Sequence, residues 1–138
     1  MDKNQRLRLI LWRVFCRPFT APSLPLFWRY WNPFYGYYLG KYVYRPCRRM
    51  LPHPISVLAT FAFCGFFLHD ILGWPAYASL KGGIAPPHNI TTWFLIIALG
   101  LVVSEKLGLR FDSLAPRARA GIHLAYLCGT YLLMRLVV

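Results

Sequence analysis

Two ionisable residues, His69 and Asp70, stand together near the end of an apolar run from Ile55 to Trp74. A histidine takes up or releases a proton near neutral pH, as general acid–base catalysis requires. Both groups are costly in hydrocarbon and are expected to face protein or water. Because consecutive helical side chains diverge, we expect Asp70 to cap a helix or to pair with a basic residue of 27–50. The competing interpretation is that the pair only marks the water-facing end of the run.

The segment 27–50 holds ten aromatic and five basic residues among its 24 positions. Arginine binds phosphate through a planar head with several donors, and aromatic rings stack on an adenine, so the segment is a candidate site for an anionic group. Alternatively, it only anchors the protein to anionic lipid, since Trp and Tyr favour the membrane–water interface. The candidate residues are Phe27, Trp28, Arg29, Trp31, Asn32, Tyr42, Tyr44, Arg45, Arg48 and Arg49.

The remaining titratable residues give weaker signals. The sequence has no Gly-rich phosphate loop, G-x-S-x-G elbow or H-E-x-x-H motif. Its four cysteines are too far apart for a C-x-x-C pair, so no metal site is predicted; the two that lie beside arginines, Cys16 and Cys47, are either inert or acylated. His53 and His88 lie next to prolines and are expected in loops, whereas His123 is expected to be an interfacial histidine with its hydrogen bonds satisfied.

The composition indicates the setting in which these residues act. The chain has 138 residues and a net charge of +12, yet 57% of it is apolar and 17% aromatic. The aromatic content argues against disorder, and the long apolar runs argue against a nucleic-acid partner. High apolarity with strong basicity is typical of a membrane protein whose charges face anionic lipid.

The pattern along the chain predicts an all-α integral membrane protein with about three spans and one or two interfacial helices. Residues 1–20 form a basic amphipathic helix by spacing. Residues 21–54 form an aromatic and basic segment that lies at, or dips into, a membrane surface. Residues 55–138 hold three spans, at 55–74, 90–109 and 120–138, and no alternating strand pattern supports a barrel.

The charges of the loops predict an orientation. Residues 1–54 carry ten Lys and Arg, the loop 73–90 carries only Lys81, and the loop 104–119 carries four. The positive-inside rule therefore places the N-terminus in the cytoplasm and the C-terminus outside. We expect a bacterial inner membrane and contacts with anionic headgroups. The Asn89–Ile90–Thr91 sequon falls at a helix start and is expected to cap the helix.

Two motifs resemble the membrane-bound O-acyltransferase superfamily. The string Phe27–Pro46 is similar to a family signature in which an F-W-x-x-W-[N/H] core leads to Y-x-Y-x-P. Its core residues here are Phe27, Trp28, Trp31 and Asn32, and its exit residues are Tyr42, Tyr44 and Pro46. The string Thr60–Asp70 is similar to the family's apolar helix that ends in a histidine, here His69. The gap between Gly65 and His69 is one residue longer than usual, which in an α-helix rotates the histidine by about 100°.

The resemblance implies transfer of an acyl group from acyl-CoA, or a similar thioester, to a hydroxyl acceptor at a membrane. In that case His69 is the base, Asn32 orients the reacting groups, the arginines of 45–49 hold the donor's phosphates, and no cofactor is resident. A chain with so few spans would act as a homo-oligomer or with a larger membrane protein. The alternative is a non-catalytic subunit, or a relic of the acyltransferase fold, that docks to lipid or a larger complex; a transporter component has less support.

Overall fold

The computed structural model of the chain describes residues 2–73 and 89–138, apart from the side chain of Asn89. These residues are all-helical, as predicted, and contain no strand. The α-helices are α1 (Lys3–Leu11), α2 (Arg17–Phe19), α3 (Leu24–Trp31), α4 (Pro33–Leu39), α5 (Arg45–Met50), α6 (His53–Phe63), α7 (Asn89–Lys106) and α8 (Pro116–Val137). Three π-helical segments continue α1, α4 and α6: π1 (Trp12–Cys16), π2 (Gly40–Tyr44) and π3 (Cys64–Ile71).

The N-terminal helix runs without a break from α1 through π1 into α2. Asp2 and Gln5 form a capping box, which satisfies backbone donors at its start. Residues 3–17 are exposed, and Pro18 is the first buried position. A helix is therefore present where the sequence predicts one over 1–20. Its exposed part, residues 3–17, lies against no core, whereas Phe19 at its end packs against Phe27 and Trp31. Its placement at a membrane interface stays a prediction.

Residues 24–50 form a helical hairpin that turns at Asn32. Ser23 caps α3 by accepting a hydrogen bond from the Leu26 amide at 3.4 Å. The backbone of Asn32 is extended, with φ −142° and ψ 92°, because a residue that precedes proline is disfavoured in the α region. The Asn32 carboxamide then caps the next helix by accepting from the Tyr35 amide at 3.1 Å. The chain returns through α4, π2 and α5.

Three helical rods pack antiparallel beside this hairpin. His53, at the start of α6, meets Glu105 near the end of α7. At the other end, Asp70 of π3 meets Thr91 in the first turn of α7. The start of α8 adjoins residues 20–22, since the Arg119 guanidinium donates to the Thr20 carbonyl at 3.3 Å. We call the end that holds His53, Glu105 and Arg119 the basic end, because most of the Lys and Arg of the loops lie there.

Helix α7 lies at the centre of the molecule. Its Ile97 and Ala98 are fully buried. The core cluster combines residues of α3, α6 and α7, namely Leu24, Val57, Ala98, Leu101 and Val102. Burial of these side chains is the main favourable term in holding the hairpin against the rods.

The helix bounds differ from the predicted ones by a few residues. The predicted spans 55–74, 90–109 and 120–138 are observed as His53–Ile71, Asn89–Lys106 and Pro116–Val137. The middle helix ends early because Gly108 has φ 62° and the amides of Gly108 and Leu109 bond back to Glu105 and Ser104, a Schellman cap.

The number of spans is not settled by these helices. Among the described residues, two helices are long and apolar enough to cross a bilayer, His53–Ile71 and Pro116–Val137. The predicted count of three spans is therefore not confirmed. Most of the predicted outer loop 73–90, with Lys81 and His88, lies outside the described residues.

Candidate functional site

An open groove of about 620 Å³ separates the returning arm of the hairpin from the rod His53–Ile71. Its lining is almost entirely apolar and aromatic. The residues that line it are Phe34, Tyr35, Tyr38, Leu39, Tyr42, Val43, Pro46, Cys47, Phe63 and Leu68. Such a lining offers dispersion contacts and few polar partners, so it suits a hydrocarbon chain.

His69 is not among the residues that line this groove, but it lies next to two of them. Two groove residues are its neighbours, Leu68 in sequence and Tyr35 in space, with the Tyr35 and His69 ring centroids 6.5 Å apart. The Phe94 ring flanks the imidazole at 5.1 Å. His69 is nevertheless exposed, so its ring is open to an incoming molecule.

Asn32 does not contact His69 through a hydrogen bond in the part of the chain that the structure describes. Its side-chain oxygen is used to cap α4 through the Tyr35 amide, and the ring of Tyr35 faces His69. Asn32 therefore reaches the imidazole only indirectly, through the residue that it positions.

Asp70 has a structural partner. Its carboxylate is buried, with 6% of the residue exposed, and accepts hydrogen bonds from the amide of Thr91 at 3.1 Å and from the Thr91 hydroxyl. The Thr91 amide is one of the four backbone donors that an α-helix leaves unsatisfied at its start. Two roles were expected for Asp70, a helix cap or a pair with a basic residue of 27–50, and the structure shows the cap.

The tryptophans of the first motif lie in an aromatic cluster. The Trp28 ring packs edge-on against Phe61 at 5.3 Å, and its buried indole N–H has no acceptor among the described residues. Trp31 stacks on Phe27 at 5.5 Å. Arg29 is exposed beside them. The structure therefore does not bring these three residues together with the arginines of 45–49.

The arginines lie at the basic end, away from His69. Arg45, Arg48 and Arg49 are all exposed, and the Arg48 guanidinium donates to the Leu51 carbonyl at 3.2 Å. Tyr35 and Arg45 are ten residues apart on one helical rod, which corresponds to roughly 15 Å. Because Pro46 and Cys47 line the groove beside them, the groove extends from the arginines towards His69.

A chain of three side chains at the basic end was missed by the sequence reading. The Tyr44 hydroxyl lies 2.7 Å from Nδ1 of His53, and Nε2 of His53 lies 2.8 Å from the Glu105 carboxylate. His53 was expected in a loop, but it begins α6, so that expectation is wrong. Nothing in the sequence pointed to Glu105 as its partner, because the two residues are 52 positions apart.

The other histidine and cysteine positions offer no further centre. His123 is fully buried and bonds the Ala21 carbonyl through Nε2 at 2.9 Å, but its Nδ1 has no partner within 2–73 and 89–138. The expected satisfied histidine is therefore only half satisfied. Cys16 is exposed and Cys64 buried, all four thiols are free, and the described residues hold no group of three metal-ligating side chains.

Comparisons of this chain with protein-family models, with curated proteins and with solved structures found no match.

Proposed function

We propose that this chain is a membrane protein of the O-acyltransferase type, which transfers an acyl group from acyl-CoA or a similar thioester to a hydroxyl acceptor. The observation that carries the proposal is the apolar groove, because its lining residues Pro46 and Cys47 adjoin the arginines of 45–49 in sequence and its lining residue Tyr35 has its ring beside that of the exposed His69. One end fits the phosphates of a donor, the groove fits its acyl chain, and the imidazole stands where the chain's reactive end would lie.

Placement in a membrane is part of the proposal. The two helices His53–Ile71 and Pro116–Val137 are long and apolar enough to cross a bilayer, and α7, of 18 residues, lies between them. In this placement, both ends of the hairpin lie at the basic end, on one side of the membrane, and its turn at Asn32 lies inside the bilayer. Extended backbone is tolerated at that depth where protein packs around it. We place the basic end in the cytoplasm of a bacterium, at its inner membrane.

The two sequence motifs also pack against each other. Trp28 of the first motif contacts Phe61 of the second. Tyr35, which follows the core residues of the first motif, contacts His69 of the second. The extra residue between Gly65 and His69 falls in π3. A π turn closes i→i+5 hydrogen bonds and so holds one more residue per turn than an α turn, which offsets the rotation expected for His69.

In the proposed reaction, His69 accepts the proton of the acceptor hydroxyl as that oxygen attacks the thioester carbonyl. The C–S bond breaks as the new C–O bond forms, and the thiolate of CoA leaves and is protonated by the imidazolium or by water. A general base must lie within hydrogen-bond reach of the proton that it removes, and the exposed ring permits that approach. Asn32 acts as a positioning residue, because it caps the helix that holds Tyr35 beside the imidazole.

One observation favours the alternative of a non-catalytic subunit or relic. Asn32 and Asp70 are polar residues of the two motifs, and both accept hydrogen bonds from backbone amides at the starts of helices. A protein that only docks to lipid or to a larger complex would need these caps and no base. It would still display the exposed N-terminal helix as a contact surface.

CoA release by the purified, lipid-embedded chain separates the two functions. We expect release from long-chain acyl-CoA with a pool of alcohol and lipid acceptors, and a loss of about 10²- to 10⁴-fold in His69→Ala, as is typical for removal of a general base. Val43→Trp, which fills the groove, should reduce use of long-chain donors more than of acetyl-CoA. The same change at the exposed Val103 is the control.

The absence of CoA release from a folded, lipid-embedded wild-type protein would contradict the enzyme. In that case, identifying the protein that co-purifies with the chain from its native membrane tests the alternative.

A further inference from the structure

The chain Tyr44–His53–Glu105 has hydrogen-bond directions that depend on one proton. An ionised carboxylate only accepts hydrogen bonds, so Nε2 of His53, 2.8 Å from Glu105, carries a hydrogen. When the ring is neutral, Nδ1 is an acceptor and the Tyr44 hydroxyl donates to it across 2.7 Å. When the ring is protonated, Nδ1 donates to the Tyr44 oxygen, and the Tyr44 hydroxyl hydrogen is free to point elsewhere.

This change of state is accessible from solvent. The side chain of His53 is 42% exposed and that of Glu105 is 31% exposed, so water reaches the pair. Histidine is the side chain that ordinarily changes charge between pH 5 and 8. A cation in the first turn of a helix is unfavourable, and the Glu105 carboxylate offsets that cost.

The surroundings of the chain are cationic. Arg48 lies one helical turn beyond Tyr44, which places it on the same side of the rod, and its partner is the neutral Leu51 carbonyl. The other charged groups on the packed elements are Lys41, Arg45, Arg49 and Lys106, against Glu105. Among the described residues, none of these four cations forms an ion pair. The charge of this region is therefore positive whether or not His53 is protonated.

Exposed apolar side chains stand beside these charges. Met50 is 87% exposed and Leu107 is 66% exposed, and they follow the arginines and Lys106 directly in sequence. Cationic and apolar groups at one edge match an amphiphile, whose headgroup pairs with arginine while its tail covers the apolar side chains. A soluble anion would leave those side chains in water.

We propose that Tyr44, Arg48, His53 and Glu105 form a proton-linked binding site for the phosphodiester headgroup of an anionic phospholipid. Protonation of His53 adds a positive charge and frees the Tyr44 hydroxyl to donate to a phosphate oxygen, so the lipid binds more tightly at lower pH. By linkage, the bound lipid favours the protonated ring by the same factor. The site rests on the membrane placement proposed above, but it lies sixteen residues along the rod from His69, on the order of 20 Å, and needs no acyl transfer.

Binding of phosphatidylglycerol to the detergent-purified full chain tests the site without acyl-CoA. This lipid is a phosphodiester with a constant charge between pH 6 and 8, so a change in its affinity reports on the protein. We expect its apparent Kd, measured from the shift of the thermal unfolding midpoint, to be about fivefold lower at pH 6 than at pH 8, within the usual range of coupling. Phosphatidylcholine should bind weakly at both pH values.

Three variants assign the effect to residues. Arg48→Gln should weaken binding about tenfold at both pH values, as expected for a hydrogen bond to a charged group, whereas Arg135→Gln at the opposite end should change nothing. His53→Gln should remove the pH dependence. Tyr44→Phe keeps the partly buried ring that packs against the core, so it should fold even where His53→Gln does not, and it should remove most of the gain at pH 6.

Three results would overturn the proposal. They are equal binding of phosphatidylglycerol and phosphatidylcholine, a pH dependence that persists in both His53→Gln and Tyr44→Phe, and binding of soluble dimethyl phosphate as tight as that of the lipid. Arg48 is also among the arginines proposed to hold the phosphates of an acyl donor, but the two proposals fail separately, because this measurement uses no acyl-CoA and the acyl-transfer assay is read from His69→Ala.

Discussion

At the scale of the single residue, Asp70 shows how one carboxylate serves the fold beside a proposed catalytic histidine. Its neighbour His69 is exposed, whereas Asp70 is buried and caps α7 through Thr91. The sequence placed both residues in one ionisable pair. Because they leave the helix in different directions, they have different surroundings and different roles.

We expect Asp70→Ala to lower the free energy of unfolding by about 2 kcal/mol, because it leaves the partly buried Thr91 donors without an acceptor. Chemical denaturation in detergent, followed by helical circular dichroism, measures the change. Thr91→Val combined with Asp70→Ala should show coupling of about 1 kcal/mol in a double-mutant cycle.

The control for this prediction is Asp112→Ala. A hydrogen bond from Arg110 holds the pKa of the Asp112 carboxyl below its usual range, but both side chains are exposed and solvent screens the pair. We expect no measurable change in stability. A cost equal to that of Asp70→Ala would show that the cap on α7 is not the source of the effect.

At the scale of the element, the contact between π3 and α7 depends on Gly65. A Cβ at this position would lie 2.7 Å from the Thr91 Cα and 3.2 Å from the Phe94 Cβ. Backbone cannot move aside as a flexible side chain does, so only glycine permits this approach of the two rods. The same approach brings Phe94 to His69 and Asp70 to Thr91.

We therefore expect Gly65→Ala to destabilise the protein by about 2 kcal/mol through overpacking. If the acyl-transfer proposal holds, it should also reduce CoA release, because the rod that carries His69 is pushed from its neighbour. The matched control is Gly129→Ala in α8, where nothing lies within 4 Å of the new Cβ. That change should be neutral or slightly stabilising, since alanine has the higher helix propensity.

Thermal unfolding of the two glycine variants side by side gives the comparison. Equal midpoints for Gly65→Ala and Gly129→Ala would mean that the two rods can separate at little cost, and the close contact would then not constrain the site.

At the scale of the whole molecule, residues 20–22, which precede the hairpin, and the C-terminus lie at opposite ends of the rods. The Arg119 contact with Thr20 marks the end where α8 starts. Trp93, near the start of α7, donates through its indole N–H to the Thr130 hydroxyl at 3.1 Å. Thr130 lies about three turns beyond Arg119 along α8. An odd number of antiparallel rods thus separates the basic N-terminal region from the C-terminus.

If the three rods cross the membrane and the basic end stays in the cytoplasm, as we propose, reporters fused to the two termini should lie on opposite sides of the membrane. In a bacterial host, green fluorescent protein should fluoresce at the N-terminus, and alkaline phosphatase should be active at the C-terminus. The control is a C-terminal fusion after residue 112, beyond two rods, which should leave phosphatase inactive. Phosphatase inactive at the C-terminus of a membrane-inserted chain would contradict three crossings.

The helices follow from local sequence. Apolar runs bounded by proline, glycine and charged residues predicted the all-α class and three rods to within a few residues, because propensity, capping and periodicity act over a few neighbouring positions. The sequence also indicated His69 and the aromatic segment 27–50. The early end of α7 at Gly108 lies at the limit of such reasoning, because the Schellman cap is local but apolar residues, Leu107 and Leu109, stand on both sides of the glycine.

Only the tertiary structure decided which of these residues meet. Tyr35 faces His69 across 34 positions of sequence, and Glu105 meets His53 across 52. The pattern of one helix does not encode the rotation and separation of the next. Those are set by the packing of the core, by the close approach at Gly65 and by the turn at Asn32. For that reason the hydrogen-bonded chain Tyr44–His53–Glu105 and the groove beside His69 became visible only in three dimensions.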